Sequence, residues 1–272
     1  MKAALLQMVS AAQVQTNVDT VAGLMAQAHA QGAELAVLPE YFCLMGHQDT
    51  DKLHIAEPFG QGPIQSRLSE LAQQHGLWLV AGSMPLAVPG DPHHVSNSCL
   101  VFNPTGECVA RYDKIHLFHF DNGKERYDEA RVQRAGDTPV CFDLPSRDGH
   151  TWRIGLSICF DVRFPALYQQ LARMGAHLVL VPSAFTHTTG QSHWELLVRA
   201  RALDNLVWLG AAAQAGEHDN GRRTWGHSMW VDPWGQVVAC HPQQAACVVT
   251  ELTMQVLQDR RAQMPALNAA SV

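Results

Sequence analysis

Short apolar runs alternate with longer stretches of helical hydrophobic spacing along most of this 272-residue chain. The apolar runs are rich in aliphatic and β-branched residues, which is typical of buried strands. They predict strands over residues 3–9, 35–38, 77–82, 96–102, 107–112, 140–144, 151–158, 177–181, 206–213, 227–231, 236–240 and 246–252. The helical spacing predicts helices over residues 18–30, 61–75, 164–174 and 192–205. Such alternation of strands and helices indicates an α/β protein.

One internal similarity refines this prediction. Positions 101–110, V-F-N-P-T-G-E-C-V-A, resemble positions 230–239, W-V-D-P-W-G-Q-V-V-A, and each segment has a turn between two strands. Two similar hairpins, one in each half, predict two similar sheets related by a pseudo-twofold axis. We therefore predict a four-layer α-β-β-α sandwich, with two mixed sheets face to face and helices outside. Residues 1–260 are expected to form a single domain, followed by a loose C-terminal tail over residues 261–272.

The composition narrows the class of protein. The chain is 47% hydrophobic and 16% charged, which suits a globular domain with one large core. A net charge of -6 argues against nucleic-acid binding and against anionic membrane surfaces. Seven scattered cysteines without a C-x-x-C motif favour reduced thiols, and the sequence shows neither a signal-peptide pattern nor a membrane-spanning run. We therefore expect a cytoplasmic protein.

Histidine is abundant but does not indicate a metal site. The fifteen histidines are spread along the chain. His116-x-x-His119 and the pair His93-His94 lack a companion cluster with metal-ligand spacing. We predict loop and surface positions for them and no bound metal.

Cys159 stands at a predicted strand-to-helix corner. The apolar run 154–158 precedes it, and a helix is expected to open near Pro165. A thiol at a helix N-terminus has a lowered pKa and faces backbone N–H groups without helical partners. This position predicts a nucleophile. The alternative is that Cys159 is a small buried hydrophobe, as many free cysteines are.

Two charged residues also follow predicted strands. Glu40 comes directly after residues 35–38 and Pro39, at the sheet edge where open α/β proteins place their active sites. Lys114 follows the second strand of the first hairpin. The alternatives are an edge carboxylate that reaches water and a surface cation. Together with Cys159 they would supply a nucleophile, a base and a fixed positive charge for an oxyanion.

Five segments of the chain, in order, resemble the nitrilase superfamily of carbon–nitrogen hydrolases. They are L-P-E-Y-F around Glu40, Y-D-K-I-H-L-F around Lys114, S-I-C-F-D-V-R-F-P around Cys159, P-S-A-F-T-H-T-T-G-Q-S-H-W-E and W-G-H-S-M-W-V-D-P-W-G. The resemblance implies the same four-layer fold and a Glu–Lys–Cys catalytic set. It places the family's second glutamate on Glu129, within a long polar loop predicted over residues 119–137, where Glu125 lies close by.

The later motifs are most similar to the branch that hydrolyses deaminated glutathione. The mechanism implied has Glu40 accept the thiol proton, Cys159 form a thioester, and Lys114 with the Phe160 N–H stabilise the oxyanion. Neither a metal nor an organic cofactor is implied, and the expected partner is a small-molecule amide. The family also implies a homodimer or higher homo-oligomer paired through outer helices.

Other activities stay open at this point. The same residues would serve an ω-amidase acting on α-ketoglutaramate or α-ketosuccinamate, or a nitrile or N-carbamoyl hydrolase. Two different classes are a non-catalytic binding protein on this fold and a metal hydrolase. The three candidate catalytic residues are all present, which argues against the non-catalytic class.

A carboxylate-bearing substrate on an acidic chain needs local cations. Arg163 is one candidate, and the alternative is that it forms a salt bridge with Asp161. The pair Arg222-Arg223 is another candidate, and the alternative is that it lies in a solvated loop. The Phe160 backbone, Phe185 and His187 are further substrate-binding candidates. For His187 and His193, capping or packing is the alternative. The aromatics Tyr41, Phe42, Phe185 and Trp208 are expected in a pocket wall or in the core.

Overall fold

Eighteen strands build two mixed β-sheets and two small hairpins in the computed structural model, which describes residues 1–269. In chain order the strands are β1 Lys2–Gln7, β2 Leu35–Val37, β3 Trp78–Val80, β4 Met84–Val88, β5 Asp91–Phe102, β6 Cys108–Asp113, β7 His119–Asp121, β8 Arg126–Asp128, β9 Gln133–Arg134, β10 Cys141–Pro145, β11 Thr151–Leu156, β12 Leu178–Leu180, β13 Trp208–Ala211, β14 Ala215–Glu217, β15 Arg223–Trp225, β16 Ser228–Val231, β17 Val237–His241 and β18 Ala246–Glu251.

Within residues 1–269, seven α-helices accompany these strands. They are α1 Val14–Ala30, α2 Asp51–His54, α3 Pro63–His75, α4 Pro165–Arg173, α5 His187–Asn205, α6 Met254–Gln263 and α7 Ala266–Ala269, and 3-10 helices cover Glu129–Arg131 and Cys159–Arg163. Among the described residues, none of the helices combines the length and apolarity that a membrane crossing requires.

The two large sheets repeat one strand plan. The first has the order β18-β1-β2-β3-β5-β4, with β6 and β9 also paired to β5, and the second has the order β10-β11-β12-β13-β16-β17. In each sheet three adjacent parallel strands are flanked on one side by an antiparallel edge strand and on the other by an antiparallel hairpin. These hairpins, β5–β6 and β16–β17, are the two segments whose sequences resemble each other. The predicted duplication is confirmed.

Alternation along the strands creates the layers. In β1, Ala3 and Leu5 pack into the core shared with the second sheet, whereas Ala4 and Leu6 pack outward with α1 and α3. On the other side of the molecule, α4 and α5 cover the second sheet. The predicted four-layer α-β-β-α sandwich is confirmed.

Some helices and strands have bounds that differ from the predicted ones. Helix α1 begins at Val14, four residues before the predicted start at residue 18, and the side-chain amide of Asn17 inside it bonds the backbone of Ala11 and Cys43. The polar segment 119–137 contains the hairpin β7–β8, a 3-10 turn and β9, which are too short to show a period.

The boundary predicted between domain and tail also falls inside an element. Helix α6 continues to Gln263, and the Arg261 guanidinium donates to the carbonyls of Leu206 and Ala176 at 3.0 and 2.7 Å. This part of the predicted loose tail is therefore packed, which corrects the prediction. Residues 270–272 of that tail lie outside the described residues.

Candidate active site

Cys159 is held in a strained corner between β11 and α4. Its φ of +48° is unusual for a residue with a side chain, and its amide donates to the Pro182 carbonyl at 2.9 Å. Such backbone strain persists where the surrounding structure supports it, and it is concentrated at functional sites. The corner directs Cys159 into a pocket rather than into the strand-to-strand packing below.

The carboxylate of Asp161 stabilises this corner through hydrogen bonds. Its fully buried carboxylate accepts hydrogen bonds from the Ile158 amide at 2.9 Å, the Tyr112 hydroxyl at 2.6 Å and the His116 amide at 3.0 Å, and His116 Nδ1 lies 2.7 Å away. Both oxygens are thus occupied. The alternative that Arg163 forms a salt bridge with Asp161 is wrong.

Arg163 faces the pocket instead. Its guanidinium lies over the rings of Phe160 and Phe185, at 5.7 and 5.4 Å from their centroids, and its Nη2 is 3.1 Å from Nδ1 of the exposed His193. Burial lowers the pKa of Arg163 from its ordinary value. A cation held between two aromatic rings at a pocket wall is suited to meeting a ligand carboxylate.

Glu40 is buried, with 1% of its surface exposed, and it accepts three hydrogen bonds. Oε1 accepts from Lys114 Nζ at 2.9 Å and from Asn97 Nδ2 at 3.0 Å, and Oε2 accepts from the Ala184 amide at 3.0 Å. The loop below is tightly packed, because a Cβ on Gly82 would lie 2.0 Å from the Pro39 carbonyl oxygen. The carboxylate therefore has a fixed orientation.

Lys114 joins two glutamates. Its fully buried ammonium lies 2.9 Å from Glu40 and 2.7 Å from Oε2 of Glu129. Burial alone would lower the pKa of Lys114, but Glu129 and Glu40 together raise it well above its ordinary value. Burial likewise opposes ionisation of Glu129, yet Lys114 and the Phe118 amide bring the pKa of that carboxyl below its ordinary value. The lysine therefore stays charged.

Tyr41 extends this network from the residue after Glu40. Its hydroxyl donates to Glu129 Oε1 at 2.7 Å and accepts from Gln133 Nε2 at 2.8 Å. Burial and the nearby carboxylates raise the pKa of Tyr41, so the phenol keeps its proton. Among the aromatics expected in a wall or core, Tyr41 thus also orients Glu129, whereas Phe42 and Trp208 are buried in the core.

The pocket brings most of the predicted residues together. Its walls are formed by Glu40, Phe118, Glu129, Cys159, Phe160, Arg163, Ala184, Phe185, Thr186, Thr189 and Arg222. Lys114 lies behind the wall, bonded to both glutamates. His187 is not among the lining residues, because it opens α5 edge-on to Trp225 and borders a wider cleft outside. Glu125, the neighbour considered with Glu129, also borders that cleft.

The environment of Cys159 differs from the one expected at a helix N-terminus. Burial raises the pKa of the Cys159 thiol well above its ordinary value, and the Glu40 charge raises it further, while Lys114 lowers it by less. Cys159 and Glu40 line the same pocket. The expectation of a lowered pKa is wrong, because burial of the thiol and, after it, the charge of Glu40 outweigh the effect of a 3-10 helix of five residues. The thiol therefore rests protonated beside a fixed proton acceptor.

Several residues of the network escaped sequence analysis, notably Asn97, Asp161 and the Ala184 amide. Asn97 carries a signal in the sequence, because an amide beside the apolar run that ends strand β5 is expected to be buried and must then find hydrogen-bond partners. The Ala184 amide carries no signal in the sequence, since every residue has one.

The comparisons with known proteins agree with this geometry. A family model described as carbon-nitrogen hydrolase matches residues 2–262. A deaminated glutathione amidase from Yersinia enterocolitica is 37% identical over 266 residues, which are 97% of this chain and 91% of that protein. An omega-amidase from Homo sapiens is 36% identical over 265 residues, covering 96% of this chain and 92% of its own length.

Solved structures are similar as well. The NitFhit protein of Caenorhabditis elegans superimposes with a TM-score of 0.88 at 33% identity, over 99% of this chain, which spans 65% of that protein's chain. An amidase mutant from Nesterenkonia, in which acrylamide has added to the active site cysteine by Michael addition, has a TM-score of 0.79 at 29% identity. The alignment covers 97% of this chain and 98% of the amidase.

Proposed function

Because this chain belongs to the carbon–nitrogen hydrolase family and so hydrolyses non-peptide carbon–nitrogen bonds, we propose that it is a thiol-dependent amidase acting on deaminated glutathione. The observation that carries the chemistry is the position of Glu40, which lines the same pocket as Cys159 and accepts a hydrogen bond from the Lys114 ammonium. Nucleophile, base and fixed cation thus act on one pocket.

The reaction begins with attack of Cys159 on the amide carbonyl carbon while Glu40 takes the thiol proton. The Lys114 ammonium and the N–H of Phe160 stabilise the resulting oxyanion, since the first-turn amides of a helix lack acceptors within it. Glu40 then returns the proton to the leaving nitrogen as the carbon–nitrogen bond breaks, which leaves an acyl thioester on Cys159. Water, deprotonated by Glu40, hydrolyses the thioester and restores the thiol.

Glu129 serves this cycle by holding Lys114 in place. Its two oxygens accept from Lys114 Nζ at 3.0 and 2.7 Å, and the Tyr41 hydroxyl and Phe118 amide orient the carboxylate. The Nesterenkonia amidase, whose active site cysteine reacts with acrylamide, supports the assignment of Cys159 as the nucleophile.

The substrate assignment has two supports. Relatives from Yersinia and Synechocystis, each 37% identical, carry the name deaminated glutathione amidase. In this chain Arg163 places a positive charge at the pocket wall, where the Phe160 and Phe185 rings bracket it. An α-keto carboxylate on the acyl side of the substrate matches that charge.

An ω-amidase is the second candidate, because the human relative carries that name at a similar identity. Deaminated glutathione and α-ketoglutaramate share their acyl group, so Arg163 suits both. A panel that compares kcat/KM for these two amides, with a nitrile and an N-carbamoyl amino acid alongside, separates the candidates. Faster hydrolysis of α-ketoglutaramate would replace the proposed substrate.

The mechanism is tested by Cys159→Ala. We expect loss of product release with retained folding, because the change removes one sulfur atom from a partly open pocket. Cys240→Ala is the matched control, since Cys240 is an exposed free thiol on β17. Mass spectrometry of quenched wild-type enzyme should find the acyl group on Cys159. Turnover by Cys159→Ala, or reaction of iodoacetamide with Cys159 no faster than with the other thiols, would contradict the mechanism.

We also propose a cytoplasmic location and a homodimer or larger homo-oligomer. All seven cysteines are free thiols, as expected in a reducing compartment. The outer face of α5 exposes Leu196 and Leu203, by 72% and 42%, and such apolar patches suit subunit contacts. Light scattering of the wild type against Leu196→Glu tests the assembly, with a monomeric wild type as the contrary result.

A further inference from the structure

A wide cleft adjoins the catalytic pocket, and we call it the outer cleft. Its volume is about 680 Å³, within the range of sites that hold small molecules. Arg222 lines both the outer cleft and the catalytic pocket, so the two spaces meet at its side chain. Tyr41, which bonds Glu129, forms part of the cleft wall.

The outer cleft is strongly basic although the chain is acidic. Its lining holds two carboxylates, Asp49 and Glu125, against five cations: Lys52, Lys124, Arg126, Arg222 and Arg223. This excess of positive charge contrasts with the net charge of -6 for the whole chain. A concave surface of one sign concentrates ligands of the opposite charge.

The carboxylates of the cleft are already engaged. Asp49 lies 3.4 Å from Lys52 Nζ, and Glu125 accepts a hydrogen bond from the Thr188 hydroxyl at 2.8 Å. Within residues 1–269, no carboxylate lies within salt-bridge distance of Lys124, Arg222 or Arg223. Three cations of the cleft therefore have their charge available to a ligand.

Arg222 is placed for such contact. Its Nη2 donates to the Ala184 carbonyl at 3.0 Å, and its guanidinium lies 5.0 Å from the centre of the Tyr127 ring. Its Nε is buried and has no hydrogen-bond partner among the described residues. A buried donor without an acceptor is costly, so an anionic ligand that reaches this group gains affinity.

We propose that the outer cleft binds the carboxylate of an extended, peptide-like amine leaving group through Arg222, Arg223 and Lys124. This inference rests on the proposed function and deepens it. The acyl half of the substrate stays on Cys159 as a thioester in the catalytic pocket. The amine half must leave before water can attack this thioester. A basic cleft at the mouth of the pocket suits an amine half that is both long and anionic. Ammonia, the leaving group of an ω-amide, would need no such space.

The test uses two substrates with the same scissile amide: deaminated glutathione and its analogue with the glycine carboxylate replaced by a carboxamide. The wild type should prefer the carboxylate by about tenfold in kcat/KM, the size expected for a charge-assisted contact. In Arg223→Gln/Lys124→Gln, which changes two exposed side chains, this preference should fall to about twofold, mainly through KM. Arg67→Gln on α3, whose exposed guanidinium pairs with Glu70, is the control and should keep the full preference.

Arg222→Lys provides a second measurement, because it keeps the charge and loses the planar fork. This variant should also reduce the preference for the carboxylate substrate. An unchanged melting temperature would show that it folds. Two results would overturn the inference. One is an equal kcat/KM of the wild type for the two substrates. The other is an equal fall in kcat/KM for both substrates in the double variant. Turnover of α-ketoglutaramate without hydrolysis of either dipeptide amide would instead refute the proposed substrate, and the leaving-group site with it.

Discussion

The Lys114 ammonium lies 2.9 Å from Oε1 of Glu40, in a region where neither side chain is more than 1% exposed. Glu129 also contacts this ammonium, with its Oε2 at 2.7 Å. Burying charges is expensive, and the cost is offset here because each charge has a close partner of the opposite sign. The ion cluster of Glu40, Lys114 and Glu129 is therefore part of both the catalytic site and the buried core.

Replacing Lys114 with Met should abolish activity and destabilise the fold. Two buried carboxylates would then face each other without a cation, which costs about 3–5 kcal/mol. Urea denaturation measures the free energy of unfolding. The double variant Lys114→Met/Glu129→Gln removes one of the two charges, so it should regain part of the stability but no activity. If Lys114→Met had the same free energy of unfolding as the wild type, the ion cluster would not stabilise the fold.

The ionisation of Cys159 should depend on Glu40. Burial raises the pKa of Cys159 first, and the negative charge of Glu40 raises it further. A neutral amide in Glu40→Gln removes the second contribution, so the thiolate should form at lower pH than in the wild type. Hydrolysis should nevertheless fall by at least about 10²-fold, because the proton acceptor is lost.

Thiolate absorbance near the ultraviolet cut-off reports this titration, after subtraction of the matching Cys159→Ser protein in each background. The subtraction removes the signal of the other six cysteines. Titration of Cys159 at the same pH with and without the Glu40 charge would contradict the electrostatic effect of Glu40 on the thiol.

Asn97 should act as a positioning residue for Glu40. Its side-chain amide donates to Oε1 at 3.0 Å, and Asn97→Leu removes that donor with little change in volume. Hydrogen bonds to charged groups contribute about 1.5–3 kcal/mol, so kcat should fall roughly tenfold or more while KM changes little. Gln133→Leu is the matched control, since this buried amide bonds the Tyr41 hydroxyl instead. Equal kcat losses in the two variants would indicate a general packing effect.

Arg163 should matter for binding rather than for chemistry. Its charge lies between the Phe160 and Phe185 rings at the pocket wall, and Met can fill that slot without charge. Arg163→Met should therefore raise KM for α-ketoglutaramate by about tenfold or more. Propionamide, an uncharged amide, is the control substrate and should show a much smaller change. A parallel loss on both substrates would argue that Arg163 supports the corner and not the ligand.

Local sequence determined much of the architecture. Apolar runs predicted the strands because a strand buried on both faces needs a continuous apolar segment. The similar hairpins at positions 101–110 and 230–239 predicted the duplicated sheets, since turn chemistry and strand pairing depend on adjacent residues. Glu40, Lys114 and Cys159 stood out because each is a reactive side chain at the end of a predicted element.

Tertiary structure alone decided how those residues behave. The rise in the pKa of Cys159 comes from burial and from Glu40, which is 119 positions away in the chain and adjacent only after folding. The contacts of Asp161, Asn97 and Arg222 were likewise set by packing between distant segments. Elements follow from short-range spacing, which the sequence shows directly. Electrostatic environments follow from what surrounds a group in three dimensions, and the separation of residues along the chain does not reveal that.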